Sequence, residues 1–464
     1  MEPLRLGLIG LGVMGREHLR KEQGLAEVRF TAIADVVPEV VQRYSSEYNL
    51  PGFTSPEALI DSGLCEAVLI ATPHPWHAPI AQYAARRGLH ILCEKPIAVT
   101  VAQADAMIAT AQEHGVLLGI MFQSRTHPLW RRARELLTDG AIGPLYYVSH
   151  TAVHYRTQAY YDSAAWRGTW QGEGGGVIMN QAPHDLDLLI WLSGLPRRVV
   201  AQAQTRWHRI EVEDTLQALL EYEGLQRGYL YVTTAEWPPH NRYEFVGERG
   251  KLVVEDNRLL LFALDRPLPA EIMTAPHGQR PAGEWRDLTP DPAPWGHAEV
   301  VRQFARAIRL GEPLVATGED GRRALELGNA LLLAGFTGQP VAIPVDRSAY
   351  EAFLAERQAC RAPGHLAARD LARQAHHLPN APLEVLVTVE LLTRRNILKE
   401  VRGAGGTLTA DIFDREPLRP VEAAQEIAVL LEGHMVRHRS LPVLKIPRWG
   451  ISGTARGVPE RGNR

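Results

Sequence analysis

A glycine-rich turn near the N-terminus is the feature that most constrains the fold. The apolar run at residues 4–9 is typical of a buried strand, and Gly10-Leu11-Gly12-Val13-Met14-Gly15 follows it directly and continues into a helix-forming segment. In this setting the glycines permit a tight turn, and a pyrophosphate can approach the backbone at the helix N-terminus. The pattern therefore predicts a dinucleotide-binding turn, with contacts from Gly10, Gly12, Val13, Met14 and Gly15.

Asp35 stands at the position where such a site has the residue that binds the adenosine ribose. A second strand-like run, residues 28–34, ends at this carboxylate, 20 residues beyond Gly15. A carboxylate there accepts hydrogen bonds from the adenosine ribose hydroxyls and repels the 2′-phosphate of NADP. The following Val36 and Val37 offer no cation for that phosphate. The predicted cofactor is therefore NAD, with NADP disfavoured.

The segment that follows alternates helices and strands. Helices are predicted near residues 55–61 and 78–87, and strands at 67–71 and 90–93, which favours a doubly wound parallel sheet. Ligands of open parallel sheets bind beyond the carboxyl ends of the strands. Residues of two strand-end turns are expected at this cofactor crevice: Thr72, Pro73, His77, Glu94 and Lys95.

After Met121 the pattern changes to consecutive strands. A helix is predicted at 129–137. Seven strand-like segments follow it, and most of them succeed one another without a helix in between: residues 145–151, 199–205, 215–222, 228–234, 243–246, 251–254 and 259–262. This order favours an α+β domain with a large, mostly antiparallel sheet. The proline-rich residues 267–294 are expected to form an irregular surface loop, and helices return at 297–308 and 321–336.

A glycine-rich stretch at residues 174–194 leads into a helical pattern. Its apolar positions recur at helical spacing up to Gly194. Because proline is tolerated in a first helical turn, Pro183 places the helix start near Asn180. Asn180 and His184 would then share one face. From this stretch alone His184 is open to two interpretations, a buried structural histidine or a catalytic base.

The composition indicates a globular protein that acts on small molecules. The 464 residues are 45% hydrophobic and carry a net charge of −3, which provides no basic surface for nucleic acid. No apolar run is long enough to span a membrane, and the first strand starts close to the N-terminus, so a cytoplasmic location is expected. Cys65, Cys93 and Cys360 are odd in number and far apart, which supports neither a disulfide nor a zinc site. No metal is expected.

Together, the motifs resemble the glucose-fructose oxidoreductase, inositol dehydrogenase and MocA (Gfo/Idh/MocA) family of NAD(P)-dependent oxidoreductases. The resemblance covers roughly residues 4–345, in family order, and as an ordered set its motifs are specific. They are the Gly10–Gly15 turn, Thr72-Pro73 with His77, Glu94-Lys95-Pro96, Phe122-Gln123-Ser124-Arg125 with Pro128, Trp166-Arg167 and residues 174–194.

The resemblance implies that Lys95 and His184 lie at the nicotinamide. His184 is expected to act as general acid and base, and Lys95 to stabilise the alkoxide and anchor the substrate. Many relatives have Asp where this chain has Asn180, and an amide can orient a sugar hydroxyl but cannot take its proton. Lys95, His184 and Asn180 form the expected catalytic set. The resemblance places further residues near cofactor or substrate, and we assign them to the cofactor: Arg125, Trp166 and Arg167.

The expected function is NAD-dependent hydride transfer at a secondary hydroxyl of a sugar, cyclic polyol or sugar derivative. His154 and Tyr155, in an aromatic and polar run after a strand, suit contacts with such a substrate. Two alternatives are an NAD-assisted, redox-neutral glycosidase and a non-enzymatic NAD-binding regulator.

The expected organisation has three parts. Residues 1–122 form an NAD-binding Rossmann domain, and residues 123–345 form an α/β substrate domain. The resemblance implies that the open-faced sheet of this second domain mediates a homo-oligomer, a dimer or a tetramer. Residues 346–464 are expected to form a C-terminal extension, to which we assign no role.

Overall fold

The structure, a computed structural model, describes residues 2–359, 398–404 and 407–412. The chain divides into two units, residues 1–359 and 360–464. The first unit contains a six-stranded and a nine-stranded sheet. In the part of the chain that is described, no helix is both long enough and apolar enough to cross a membrane.

The first sheet consists of parallel strands. Their bounds are β1 (Leu4–Ile9), β2 (Val28–Ala34), β3 (Gly52–Phe53), β4 (Ala67–Ile70), β5 (His90–Cys93) and β6 (Leu118–Ile120). They lie in the order β3-β2-β1-β4-β5-β6 and pair in parallel throughout. The strand order reverses between β1 and β4, which is where doubly wound sheets bind their ligand. The glycine-rich turn follows β1 at this point.

Helices connect these strands. They are α1 (Val13–Glu22), α2 (Pro38–Tyr48), α3 (Pro56–Ile60), α4 (His77–Arg86) and α5 (Val101–Glu113). Short 3-10 turns follow β4 at His74–Trp76 and β6 at Gln123–Thr126. The predicted doubly wound parallel sheet is thus confirmed.

The second sheet follows α6 (Pro128–Thr138). Its strands are β7 (Leu145–Val153), β8 (Arg198–Gln204), β9 (Thr215–Glu221), β10 (Arg227–Thr233), β11 (Arg242–Gly247), β12 (Gly250–Glu255), β13 (Arg258–Leu264), β14 (Gly283–Asp287) and β15 (Val341–Ala342). They lie in the order β14-β13-β12-β11-β7-β10-β9-β8-β15. Among the described pairs, β7 and β10 are parallel, and the others are antiparallel. The predicted mostly antiparallel sheet is confirmed.

Further helices pack around the two sheets, and the one at His297–Leu310 packs against β2 and β5 of the first sheet. They are α7 (Gln158–Asp162), α8 (Trp170–Glu173), α9 (Val177–Asn180), α10 (Pro183–Ser193), α11 (Leu268–Thr274), α12 (His297–Leu310), α13 (Gly318–Thr337) and α14 (Arg347–Ala359). α13 packs against α5, α10 and β8, so it links both sheets. It begins at a reciprocal cap between Thr317 and Asp320, which satisfies amide groups that a helix start leaves unpaired.

The helix predicted to begin near Asn180 begins at Pro183 instead, so this prediction was wrong. α9 ends at Asn180, and the amide of Ala182 donates to the carbonyl of Val177 to close it. Pro183 then occupies the first turn of α10, where its missing N–H costs no hydrogen bond. Asn180 and His184 therefore belong to different helices and do not share a helical face.

The proline-rich segment also contains more regular structure than predicted. α11 and β14 lie within residues 267–294. All five residues of β14 are exposed, and the strand exists through its pairing with the edge strand β13. Such pairing leaves no pattern of buried positions in the sequence, which is why the strand was missed.

α14 packs within the first unit. The Phe353 and Trp170 rings lie 5.8 Å apart, and Gln358 Nε2 donates to the Trp170 carbonyl at 3.2 Å. The expected C-terminal extension begins at residue 346, before this helix, whereas the first unit ends at Ala359.

In the second unit, β16 (Leu398–Ala404) and β17 (Thr407–Ile412) pair as antiparallel strands. The sequence of the C-terminal extension also predicts an apolar strand at 383–392, a helix at 420–432 and a disordered tail at 448–464. These segments and Cys360 lie outside the described residues.

Candidate active site

The glycine-rich turn after β1 is shaped for close backbone contact. A Cβ on Gly15 would lie 1.9 Å from the Gly10 carbonyl oxygen, so only glycine allows α1 to start this close to β1. A Cβ on Gly12, by contrast, would meet nothing within 4 Å. This open space faces the start of α1, where no side chain caps the helix and the first amides lack intrahelical partners. The turn therefore fits a pyrophosphate, with the amides of Val13 and Met14 as donors.

Asp35 is fixed at the edge of this turn. Its Oδ2 accepts from the Leu11 amide at 2.7 Å, and its Oδ1 accepts from the Val37 amide at 3.0 Å. Each carboxylate oxygen keeps a free lone pair that can accept a ribose hydroxyl. Val36 is 74% exposed, so the adjacent surface is apolar rather than cationic.

His77 joins the two predicted strand-end turns. Its Nε2 lies 2.8 Å from the Thr72 carbonyl, and its Nδ1 lies 2.8 Å from the Pro96 carbonyl. Burial lowers the pKa of this histidine. The structure therefore gives His77 a bracing position between the turns after β4 and β5. Thr72 Oγ1 is buried without a hydrogen-bond partner among the described residues, which leaves this hydroxyl available to a cofactor.

Glu94 is held by a buried ionic cluster. Its Oε1 lies 2.9 Å from His18 Nε2, and His18 Nδ1 lies 3.0 Å from Glu22. Burial opposes charge on His18, but the hydrogen bonds to Glu22 and Glu94 raise its pKa to about 10. Burial also opposes ionisation of Glu94, yet His18 lowers the pKa of this carboxyl to about 2. The cluster ties α1 to the residue that precedes Lys95.

Lys95 reaches from the first sheet to the glycine-rich stretch. Its Nζ donates to the backbone carbonyl of Asn180 at 2.8 Å. Burial is the main cause that lowers the pKa of this ammonium, and the charges of Arg156 and Arg167 lower it further. An ammonium has three protons to donate, so two stay available for a substrate oxygen.

Glu173 lies behind Asn180. The side-chain amide of Asn180 donates to one Glu173 carboxylate oxygen, and the Gly168 amide donates to the other at 2.6 Å. Burial raises the pKa of Glu173 to about 7. The chain thus has a titratable carboxyl in contact with Asn180.

The glycines before α9 bring this segment against the second sheet. A Cβ on Gly176 would lie 1.8 Å from the Glu213 carbonyl oxygen. The Gly176 amide donates to the Glu213 carboxylate at 2.9 Å, and the Ile178 amide does so at 3.0 Å. Close backbone approach therefore occurs at Gly176 and fixes the start of α9.

His184 faces Gln123, at the 3-10 turn after β6. The two Nε2 atoms are 3.1 Å apart, so the amide of Gln123 donates when the ring hydrogen of His184 is on Nδ1. Nδ1 itself is buried and has no hydrogen-bond partner in the described part of the chain. Burial, followed by the charge of Lys95, lowers the pKa of His184 to about 3. His184 is therefore neutral near pH 7 and retains one unpaired ring nitrogen.

His154 is connected to the residue next to His184. Its Nε2 lies 2.6 Å from Asp185 Oδ2, and the Tyr243 hydroxyl donates to Asp185 Oδ1 at 2.9 Å. Tyr155 is 45% exposed and packs edge-to-face on the Trp237 ring at 5.5 Å. The two proposed substrate residues thus follow β7, with an exposed aromatic pair beside them.

Arg125 lies in a buried ion pair. It contacts Asp187 through Nε at 2.9 Å and Nη2 at 2.6 Å, and Asp320 at 3.1 Å. These contacts join α10 to the start of α13. The structure therefore gives Arg125 a bracing position, and its contact with the cofactor stays a prediction.

Trp166 and Arg167 lie near the turn after β4. The rings of Trp166 and His74 are 6.2 Å apart, and the Arg167 guanidinium carbon lies 4.4 Å from the Trp166 ring. His74 Nδ1 bonds to the backbone carbonyl of Glu173 at 3.0 Å. Trp166, Arg167 and His74 thus connect the turn after β4 to Glu173.

Sequence reasoning assigned no role to three residues that contact the predicted site. They are Gln123, which meets His184, Glu173, which meets Asn180, and Gln181, which lies next to Asn180. Gln123 belongs to the Phe122–Arg125 motif, and Glu173 directly precedes the three glycines. Proximity to these motifs was the available signal. No group of three or more potential metal ligands occurs among the described residues.

Two family models match the chain. Residues 4–122 match the oxidoreductase family with an NAD-binding Rossmann fold, and residues 130–253 match the GFO/IDH/MocA C-terminal domain. Together these ranges span more than half of the 464 residues.

Curated relatives and solved structures agree with this match. Inositol 2-dehydrogenase of Rhizobium meliloti is 26% identical over 333 residues, which are 70% of this chain and 95% of that protein. 1,5-anhydro-D-fructose reductase of Ensifer adhaerens is 28% identical over 350 residues, 73% of this chain and 98% of that protein. The WlbA dehydrogenase of Bordetella pertussis, solved with NADH and UDP-GlcNAcA, is 28% identical with a TM-score of 0.64, over 74% of this chain and 100% of that one.

Proposed function

Since the chain belongs to the Gfo/Idh/MocA family of NAD-binding oxidoreductases, we propose that it transfers a hydride between NAD and a secondary hydroxyl of a sugar, cyclic polyol or sugar derivative. The names of its relatives, an inositol dehydrogenase and an anhydrofructose reductase, support this substrate class.

The hydrogen bond from Lys95 to the Asn180 carbonyl carries the proposal. It brings a cation from the strand-end turn of the first sheet to the segment that leads into α10. His184 stands at the start of that helix, and the Lys95 charge contributes to its low pKa. The cation and the histidine therefore border one region, as removal of a hydroxyl proton beside a developing alkoxide requires.

Lys95 would stabilise negative charge on the reacting oxygen. One of its three protons goes to Asn180, and the others can be donated to the substrate hydroxyl and to the alkoxide formed from it. Its charge matters more there than in water, because Lys95 is partly buried.

His184 would exchange the hydroxyl proton through Nδ1, the ring nitrogen without a partner in the described structure. The contact with Gln123 links the protonation of Nδ1 to that of Nε2 in the His184 ring. If the Gln123 amide rotates so that Oε1 accepts from Nε2–H, Nδ1 becomes the proton acceptor, and in the opposite arrangement Nδ1 carries the proton. Gln123 would thus set the tautomer of His184.

The cofactor would lie along the residues predicted for it. NAD supplies the hydride acceptor when it is bound. The open space at Gly12, the start of α1 and the fixed carboxylate of Asp35 fit its pyrophosphate and adenosine ribose. The unpaired Thr72 hydroxyl is a further donor at the same edge of the sheet.

A substrate screen tests this proposal. The purified full chain is incubated with NAD and a panel of inositols, aldoses, anhydrosugars and glycosides, and both NADH and the carbonyl product are measured. We expect NADH to accumulate with at least one polyol or sugar, with an equal amount of ketone. Release of free sugar from a glycoside without net NADH would support the redox-neutral glycosidase, and silence across the panel would support a non-enzymatic NAD-binding regulator.

A further inference from the structure

Two arginines lie against Tyr160, close to the proposed reaction site. The Arg167 guanidinium carbon is 4.4 Å from the ring centroid of Tyr160, and Arg167 Nη1 donates to the hydroxyl at 2.6 Å. The Arg156 guanidinium carbon is 5.2 Å from the same ring. Tyr160 thus holds two positive groups close together in a partly buried place.

The described residues do not neutralise these arginines. Neither guanidinium has a carboxylate within ion-pair distance in the part of the chain that the structure describes, whereas Arg125 and Arg347 each contact two. Arg167 Nε is buried without a hydrogen-bond partner there. A buried donor without a partner is unfavourable, so this nitrogen indicates a missing acceptor.

The arginines are connected to Lys95 through Gln181 and Asn180. Arg156 Nη2 donates to Gln181 Oε1 at 2.7 Å, and Gln181 Nε2 donates to the Tyr160 hydroxyl at 2.9 Å. Gln181 follows Asn180, whose carbonyl binds Lys95. Lys95 and Arg156 therefore contact the segment Asn180-Gln181, and Arg167 is connected to it through the Tyr160 hydroxyl. Both arginines act electrostatically on Lys95.

The carboxyl that contacts this segment does not balance the three cations. Glu173 contacts Asn180, and its raised pKa of about 7 leaves it only partly ionised at neutral pH. The excess is positive, and the donors are forked guanidinium groups, which bind planar or tetrahedral oxyanions through two parallel hydrogen bonds.

The hydroxyl of Tyr160 adds a further donor. It accepts from Arg167 and from Gln181, and no acceptor for its own proton occurs among the described contacts. A phenol that accepts two hydrogen bonds still donates one. Its proton and the free guanidinium N–H groups thus point to an acceptor that is not part of this chain's described structure.

We propose that Arg156 and the Tyr160 hydroxyl, together with Arg167, bind an anionic substituent of the substrate, so that the protein acts on an acidic sugar or polyol carrying a carboxylate or a phosphate ester. Arg167, which the sequence assigned to the cofactor, is thereby assigned to the substrate. This inference rests on the proposed function, because Lys95 and His184 locate the hydroxyl to be oxidised. The anion would lie on the Gln181 side of that hydroxyl and orient it toward Lys95.

Binding measurements without turnover test the inference. The full chain is loaded with NADH and titrated calorimetrically with three matched probes: glucose, glucuronate and glucose 6-phosphate. We expect at least one anionic probe to bind about tenfold or more tightly than glucose, since charge-assisted bonds to two guanidinium groups add more than about 1.4 kcal/mol. Comparing glucuronate with glucose 6-phosphate distinguishes a carboxylate from a phosphate ester.

Substitutions identify the residues responsible. Arg156→Gln should lower the preference for the anionic probe over glucose about tenfold and leave the affinities for glucose and NADH unchanged. Arg156→Lys should retain part of that preference. Arg29→Gln, at an exposed position on β2, is the matched control and should change nothing.

Three results would overturn the inference. The first is equal binding of glucose and both anions, including no measurable binding of any probe. The second is an equal loss of affinity for neutral and anionic probes in Arg156→Gln. The third is a loss of NADH affinity in that variant, which would assign the arginines to the phosphates of the cofactor. Because no hydride transfer is measured, failure of the proposed oxidation leaves these binding results interpretable.

Discussion

His18 Nε2 lies 2.9 Å from Glu94 Oε1, in a buried contact between α1, which starts at the glycine-rich turn, and the residue that precedes Lys95. The proposed cofactor site and the proposed catalytic cation are therefore connected by one ion pair. Loss of this ion pair would therefore affect the position of the cofactor site and of Lys95.

The His18 ion pair should make stability depend on pH. The pKa of His18 is raised to about 10 in the folded protein, so its contribution is complete below the ordinary value of 6.5 and is lost as the pH rises toward 10. His18→Gln should therefore lower the free energy of unfolding by about 3 kcal/mol or more near pH 6, and by less near pH 10. Urea unfolding at both pH values measures this difference. His114→Gln, at an exposed helix end, is the control, and a loss that grows with pH would contradict the assignment.

Lys95→Met should abolish most of the activity without unfolding the protein. The substitution removes the cation and one hydrogen bond to Asn180 but keeps an apolar side chain of similar length. We expect kcat to fall about 100-fold to 1,000-fold, as for the loss of a group that stabilises an oxyanion. Lys21→Met, at the exposed end of α1, should leave kcat unchanged. Turnover by Lys95→Met within a few-fold of the parent would remove Lys95 from the mechanism.

His184 should stay neutral through the physiological pH range. Burial and the neighbouring Lys95 lower its pKa to about 3, so its ring resonances should not shift between about pH 5 and about pH 8. Proton NMR measures this, with His184→Asn used to identify the signals. The same variant should lower kcat about 100-fold to 10,000-fold if His184 is the general acid and base. A titration near pH 6.5 would show that the ring is solvated and would argue against its enclosed position.

Asp35 should determine the choice of cofactor. Its carboxylate is held by the Leu11 and Val37 amides, so a 2′-phosphate placed there would meet a fixed negative charge. The parent protein should bind NAD more tightly than NADP, and Asp35→Ser should reduce that preference about tenfold or more. Fluorescence titration with both cofactors gives the four dissociation constants. Tighter binding of NADP by the parent would contradict the role of Asp35.

Local patterns were enough to predict most of the fold. The first sheet follows from apolar runs that alternate with helices, and the turn at Gly10–Gly15 follows from glycines between a strand and a helix. Seven strands of the second sheet, β7 to β13, were predicted to within a few residues of their bounds, because alternating burial leaves a trace in the sequence. The two-residue strand β15 was not predicted. β14 leaves no such trace, since all of its residues are exposed.

The contacts within the site could not be predicted in the same way. The helix break between Asn180 and Pro183 depends on a hydrogen bond that ends α9, and spacing alone suggested one continuous helix. Glu173 and Gln123 gain their importance from neighbours that only the fold supplies, at Asn180 and His184. Sequence motifs thus located the region, while tertiary packing decided which side chains meet there.

Transfer of deuterium tests the central claim most directly. A sugar or polyol that produces NADH in the screen is labelled with deuterium at the carbinol carbon, and the NADH formed with the full chain is examined by mass spectrometry. Direct oxidation of a secondary hydroxyl predicts one deuterium in each NADH, with a slower rate for the labelled substrate. NADH that contains no deuterium, or release of sugar from a glycoside without net NADH, would contradict the account.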